Sequence, residues 1–205
     1  MRVVRPLFIV FEGIDGSGKS SLSEELDAAL RSQGLDAVRL AEPTDGTWGR
    51  KIRAMLSDGS RPEASEQLRL FLLDREEDVA RNLLPALRGG GIVLMDRYFY
   101  SNAAYQGAAG MDPDLILSEN RARGFPQPNR VYLVDIEPEK ALQRIAMREG
   151  GRNVELFERL EFLARVREIY LAIVDERFVI LDGRLPLLES VGVIMEDIEK
   201  NFTVR

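Results

Sequence analysis

Four short segments are almost continuously apolar and end in a carboxylate or a turn: LFIVF from Leu7, GIVLMD closing on Asp96, RVYLVD closing on Asp135 and RFVILD closing on Asp182. AVRLAEP, from Ala37, is a weaker fifth. Strands buried on both faces of a parallel sheet produce such runs. Between them, apolar residues recur at helical spacing over 20–33, 47–56, 65–87, 113–123, 138–148, 156–176 and 187–201. The alternation predicts a three-layer α/β/α domain in which a five-stranded parallel sheet carries helices on both faces. Ligands are then expected outside the carboxyl ends of the strands. Gly89-Gly90-Gly91 and FPQPN at 125–129 punctuate elements and do not read as linkers, so one domain is expected over 1–205.

The length and a 45% hydrophobic content suit one sizeable core. Lys and Arg total 28 against 34 Asp and Glu, a net charge of -6 that opposes sequence-independent binding to nucleic acid or anionic lipid. The chain has no cysteine and no histidine. Disulfides, thiolate catalysis, Ser-His-Asp hydrolysis and histidine metal sites or bases are thereby excluded, and phosphoryl transfer leads what is left. The apolar run at 7–11 is too short for a signal peptide, and no stretch approaches the roughly 20 apolar residues of a membrane span. A cytoplasmic location is expected.

FEGIDGSGKSS at 11–21 satisfies G-x-x-x-x-G-K-[ST] between an apolar strand and an amphipathic helix. Such a loop turns backbone N–H groups toward phosphate, and the helix adds its positive end. The ATP-binding set is Gly13, Ile14, Asp15, Gly16, Ser17, Gly18, Lys19, Ser20 and Ser21, with Lys19 reaching β- and γ-phosphate and Ser20 ligating Mg²⁺. Asp96, at the end of a neighbouring strand, is read either as the second metal-facing group or as a helix cap. Arg97 beside it has fork geometry suited to phosphate.

The chain resembles the thymidylate kinases, P-loop nucleoside monophosphate kinases, over nearly its whole length. The resemblance rests on the P-loop, EPTDGTWGRKIR at 42–53, LRLFLLDREEDV at 68–79, DRYFYSNAAYQG at 96–107, ALQRIAMR and FLARVREIY. It implies transfer of the γ-phosphoryl group of Mg-ATP to dTMP and a homodimer. It further implies that Phe71 stacks on thymine and Arg75 bonds its O4, and that Arg97 holds the monophosphate. Ser101 and Asn102 would reach the base edge, Tyr105 would lie against the sugar and exclude ribose, Asp15 would meet the 3'-hydroxyl, and Arg53 would face phosphate. Two roles are open for Glu42: orienting Mg²⁺ waters or pairing with Arg97. Ordinary core packing is the competing reading for Phe71 and for Tyr98, Tyr100 and Tyr105.

Arg144, Arg148 and Arg152 lie four apart beside glycines 150 and 151, as a basic lid near 144–158 or as a solvated face. Gly16 matches members whose cations sit on that lid, which places Arg144 near adenine with the turn at Asp182 across the ring. The catalytic set is then Asp15, Lys19, Arg97, Arg148 and Arg152. Two departures stand out: EPTDG replaces the more familiar EPGGT, and Leu156 occupies a lid position where many members carry glutamate, with Glu158 a substitute from a shifted frame. Competing readings are a kinase of the same fold for another deoxynucleotide or a nucleoside, and a nucleotide-dependent regulatory protein.

Overall fold

A computed structural model describes residues 3–57, 62–148 and 156–203. Its sheet has five parallel strands, β1 (Leu7–Glu12), β2 (Ala37–Ala41), β3 (Ile92–Asp96), β4 (Arg130–Asp135) and β5 (Phe178–Asp182), in the order β2-β3-β1-β4-β5. Alternate side chains serve opposite layers, as strand geometry requires. Phe8, Val10, Val93 and Met95 join one core, and Leu7, Ile9, Phe11, Ile92 and Leu94 join the other. The second core is closed by α1 (Lys19–Ser32) and α9 (Leu187–Phe202) through Leu22, Leu26, Leu30, Val191, Ile194 and Ile198.

The first core is closed by α3 (Ala64–Asp78), α5 (Phe99–Ala108), α6 (Pro113–Ala122), α7 (Pro138–Arg148) and α8 (Leu156–Ala172). Helix α2 (Thr47–Ser57) packs beside α3. β2 and β5 are the edge strands, which leaves Val38 and Ile180 exposed and explains the weak apolar signal of AVRLAEP.

The helix expected over 65–87 is interrupted. After α3 the chain makes a π turn, Val79–Leu83, before α4 (Leu84–Arg88), and Leu84 N donates to Val79 O five residues back. Pro85 is the cause at hand, since it has no N–H for the Arg81 carbonyl four residues before it. Helix α5 was not anticipated. Seven of its ten residues are buried, polar Ser101, Asn102 and Gln106 among them, so no apolar stripe marks it. No helix among the described residues is long and apolar enough to cross a membrane.

The register aligns Phe11 with Asp96, Ala41 with Asp96, and Asp135 with Asp182. The acidic strand ends therefore gather at one rim, where the P-loop also lies.

Candidate active site

The P-loop needs glycine for two distinct reasons. Gly13 has φ +146°, and a Cβ there would come within 2.7 Å of Val134 O. Gly16 has φ +81°, and a Cβ would overlap the Ala141 carbonyl on α7. The loop thus lies tightly against β4 and α7 in a backbone shape that side chains oppose. Ile14 is buried in the core, Ser21 is exposed on α1, and the buried Ser17 Oγ has no hydrogen-bond partner. Gly18 precedes a first helical turn that contains no acid, so its N–H groups are available to an anion.

Lys19 is only 6% exposed. Burial, then the nearby Arg97 charge, brings its pKa down to about 8, against the pull of Asp15, Asp96 and Glu12. Ser20 Oγ donates to Asp96 Oδ2, while Asp96 Oδ1 is buried with no partner among the described residues. Of the two readings of Asp96, this favours the metal-facing one, because α5 takes its capping acceptor from elsewhere. One hydroxyl and one carboxylate with a spare buried oxygen fit a Mg²⁺ ion that takes its remaining ligands from phosphate and water. Among the described residues, no group of three or more acidic or histidine side chains could hold a metal alone.

Arg97 is the non-glycine residue with left-handed backbone, φ 68°. Its Nη2 donates to Asp15 Oδ1 at 2.6 Å, its Nη1 donates to Ser101 Oγ at 3.0 Å, and its guanidinium lies 5.1 Å over the Tyr105 ring. Asp15 N in turn donates to Tyr105 Oη at 3.0 Å. Desolvation pushes the Asp15 carboxyl up, but Arg97, Lys19 and, from α8, Arg159 outweigh it and hold it below the ordinary aspartate range. Phe71 is half-buried, whereas Leu68 and Leu72 on the same helix enter the core. Asn102 is buried with Oδ1 unpartnered. Tyr98 and Tyr100 are core residues.

Several of the expected site residues engage protein groups. Glu42 pairs with Arg75 and not with Arg97: Arg75 Nε and Nη2 both donate to its carboxylate, and Nη1 donates to Asn120 Oδ1 at 2.7 Å. Arg75 is 1% exposed, and its charge anchors the loop after β2. Its neighbour Asp74 accepts from Thr44 N in the same loop. Arg53 also serves that loop, donating to Pro43 O at 2.6 Å, to Thr44 O and to Asp45. The Ser101 hydroxyl donates to Glu12 Oε2 at 2.6 Å. Beside the loop opens a cavity of about 700 Å³ lined by Arg53 and Asp96 with Thr44, Asp78 and Arg81.

Arg144 donates to Ser17 O at 3.1 Å and to Gly183 O at 2.8 Å. It touches the turn after β5 directly. Asp182 accepts from Arg184. Arg148 is exposed at the end of α7. Arg152, glycines 150 and 151, and the side chain of Glu158 lie outside the described residues.

Glu12 was missed. Fully buried at the end of β1, it accepts from Tyr98 N at 2.8 Å and Ser101 N at 3.2 Å, and so caps α5 from another element. Burial pushes its carboxyl above the ordinary glutamate range, against Ser101 and Arg97. The available signal was the carboxylate ending its apolar run, as in the other strands.

Residues 11–194 match the family model described as thymidylate kinase. The chain belongs to the thymidylate kinase family. The thymidylate kinase of Leptospira borgpetersenii is 38% identical over 202 residues, 98% of each chain. The probable thymidylate kinase of Archaeoglobus fulgidus is 40% identical over 199 residues, 97% of this chain and 98% of its own. That of Desulfotalea psychrophila is 43% identical over 162 residues, 79% of each. In this member of the thymidylate kinase family, Lys19 and Arg97 bring two cations to the rim that carries the P-loop.

Proposed function

We infer that this chain transfers the γ-phosphoryl group of ATP to dTMP, giving ADP and dTDP for dTTP synthesis. The observation that carries the reading is the meeting of the P-loop and Arg97 at one rim, where Asp15 Oδ1 accepts from Arg97 Nη2 at 2.6 Å and interacts with the buried Lys19 as well. Asp15 offsets part of the repulsion between the two cations, and a phosphoryl group placed between them relieves the rest.

An oxygen of the dTMP phosphate attacks the γ-phosphorus, the bond to the β–γ bridging oxygen breaks, and ADP departs with that electron pair. The acceptor is already an anion, so no protein nucleophile is needed. The P-loop amides and Lys19 hold the donor. Arg97 exchanges Asp15 for the acceptor phosphate, which frees Asp15 for the 3'-hydroxyl. Arg148 and Arg152 neutralise charge on the moving group, and Arg144 with the Asp182 turn borders adenine. Ser20 and Asp96 would hold Mg²⁺, which would supply further charge neutralisation there.

On the acceptor side, Phe71 stacks on the base and Tyr105 crowds the sugar's 2' position. The unpartnered Asn102 Oδ1 suits the N3–H of thymine and opposes cytosine, which presents a lone pair there. The reading includes one kinase domain with a lid near 144–158, a homodimer and a cytoplasmic location. ATP consumption against a panel of dTMP, dUMP, UMP, dCMP, CMP and thymidine tests it. Strong preference for dTMP is expected, and equal rates with UMP and CMP would reject the acceptor assignment.

A further inference from the structure

Arg97 is held from behind by a buried chain of hydrogen bonds that crosses three elements. Its Nη1 donates to Ser101 Oγ at 3.0 Å, and Ser101 Oγ donates to Glu12 Oε2 at 2.6 Å. Tyr170, from α8, donates to the same carboxylate oxygen at 2.9 Å and stands 2.9 Å from Ser101 Oγ. The proton count closes: one hydroxyl proton each from Ser101 and Tyr170 goes to the carboxylate, which leaves a serine lone pair for the guanidinium. Glu12 and Tyr170 are almost wholly shut from solvent.

We propose that Tyr170 and Glu12 are positioning residues for phosphoryl transfer, acting through Ser101 to aim the Arg97 guanidinium at the acceptor phosphate. The inference rests on Arg97 as the acceptor-phosphate ligand. Glu12 governs Arg97 twice. Its Oε1 takes Tyr98 N, which fixes the backbone just past the left-handed residue, and its Oε2 reaches the side chain through Ser101. Arg97 N, bonded to Phe11 O at 3.0 Å, supplies the third fixed point.

Tyr170 does not wander, because one turn earlier on α8 Arg167 grips Asp135 with two hydrogen bonds, at 2.6 and 2.8 Å. The same helix presents Phe162 to Tyr105, the ring beneath the guanidinium, at 6.2 Å between centroids. Helix α8 therefore braces the Arg97 cage at two points, through Ser101 and through the Tyr105 ring. A misaimed guanidinium weakens acceptor binding and alignment together while leaving the donor loop alone.

The test is steady-state kinetics of Tyr170→Phe, which deletes one hydroxyl and keeps the ring, with Glu12→Gln as a volume-matched second variant. For Tyr170→Phe, kcat/KM for dTMP is expected to fall about tenfold, the size of one lost hydrogen bond to a charged group. KM for ATP should stay within about twofold, and the unfolding midpoint within a few degrees. In an Arg97→Lys background the Tyr170→Phe change should cost less than about twofold, because the group it aims is gone. Undiminished dTMP kinetics in both variants would overturn the proposal, as would equal losses for both substrates with a lowered midpoint, or full multiplication of the effect on top of Arg97→Lys. If Arg97→Lys alone leaves dTMP kinetics intact, it is the phosphate-binding role of Arg97 that fails; an impaired Arg97→Lys beside a normal Tyr170→Phe rejects the brace alone.

Discussion

Arg75 closes on Glu42 with two nitrogens in a pair almost wholly shut from water, beneath the loop that follows β2. Two buried charges of this kind tolerate joint replacement far better than loss of one partner, since the survivor is left uncompensated. Glu42→Ala is therefore expected to cost on the order of 3–5 kcal/mol. In a chain of this length that is a midpoint lowered by roughly 10 °C. Glu42→Leu combined with Arg75→Met should cost clearly less than the sum of the two single changes. Thermal unfolding of the four proteins checks it, and simple additivity would show that the charges are not coupled.

Lys19 illustrates stability given up for function. Its pKa of about 8 lies below the ordinary lysine value, so at neutral pH the folded protein bears the cost of keeping a buried ammonium charged. The unfolded chain binds the extra proton between about pH 8 and the ordinary value of about 10.4. Stability from this group therefore rises with pH across that window, and the cost is fully present below it. Lys19→Met should raise the unfolding midpoint at pH 7, by up to about 3 kcal/mol in stability. The advantage should shrink toward pH 10, and ATP binding should be lost. A lower midpoint at pH 7 would mean that lysine's ion partners outweigh its burial.

Much of this architecture was legible because buried strands and amphipathic helices leave patterns with fixed periods, and the P-loop is read from a contiguous string. What escaped has a common cause: it depends on which surfaces meet. Helix α5 is buried nearly all round and shows no stripe. Arg75 and Arg53 carry the charges expected of ligand-binding residues, yet the structure directs both to the loop at 42–45, and only tertiary placement could say so. Glu12 and Tyr170, 158 positions apart, share a hydrogen bond that no local spacing encodes. Where an expectation rested on geometry within a single turn of chain, as for Lys19 and Ser20, the side chains do meet at one rim.

Ser20 and Asp96 are already in contact, and the spare oxygen of Asp96 faces no protein donor. Removing either ligand should weaken the metal more than the nucleotide. Ser20→Ala and Asp96→Asn are expected to raise the Mg²⁺ concentration needed for half-maximal rate by about 10- to 100-fold, by analogy with other lost metal-site contacts. Saturating Mg²⁺ should recover part of the rate, more so for Ser20→Ala, which keeps the charge. A magnesium titration at fixed ATP and dTMP measures this, and an unchanged midpoint in both variants would remove the pair from the metal site.

Arg97 offers a way to separate the site from the scaffold, because its backbone and its side chain make opposite demands. At φ 68° a residue with a Cβ is disfavoured by about 1–2 kcal/mol, a penalty glycine escapes. Arg97→Ala and Arg97→Gly both delete the guanidinium and both leave Asp15 without its 2.6 Å partner. They differ in backbone relief, offset in part by glycine's greater freedom in the unfolded chain. Each should lose most of its turnover at saturating dTMP while remaining folded, and Arg97→Gly should unfold at an equal or higher temperature than Arg97→Ala. If Arg97→Ala keeps near-normal turnover, the guanidinium does not grip the acceptor phosphate. If Arg97→Gly is markedly less stable than Arg97→Ala, the left-handed backbone is not a strain that the side chain's task imposes on the fold.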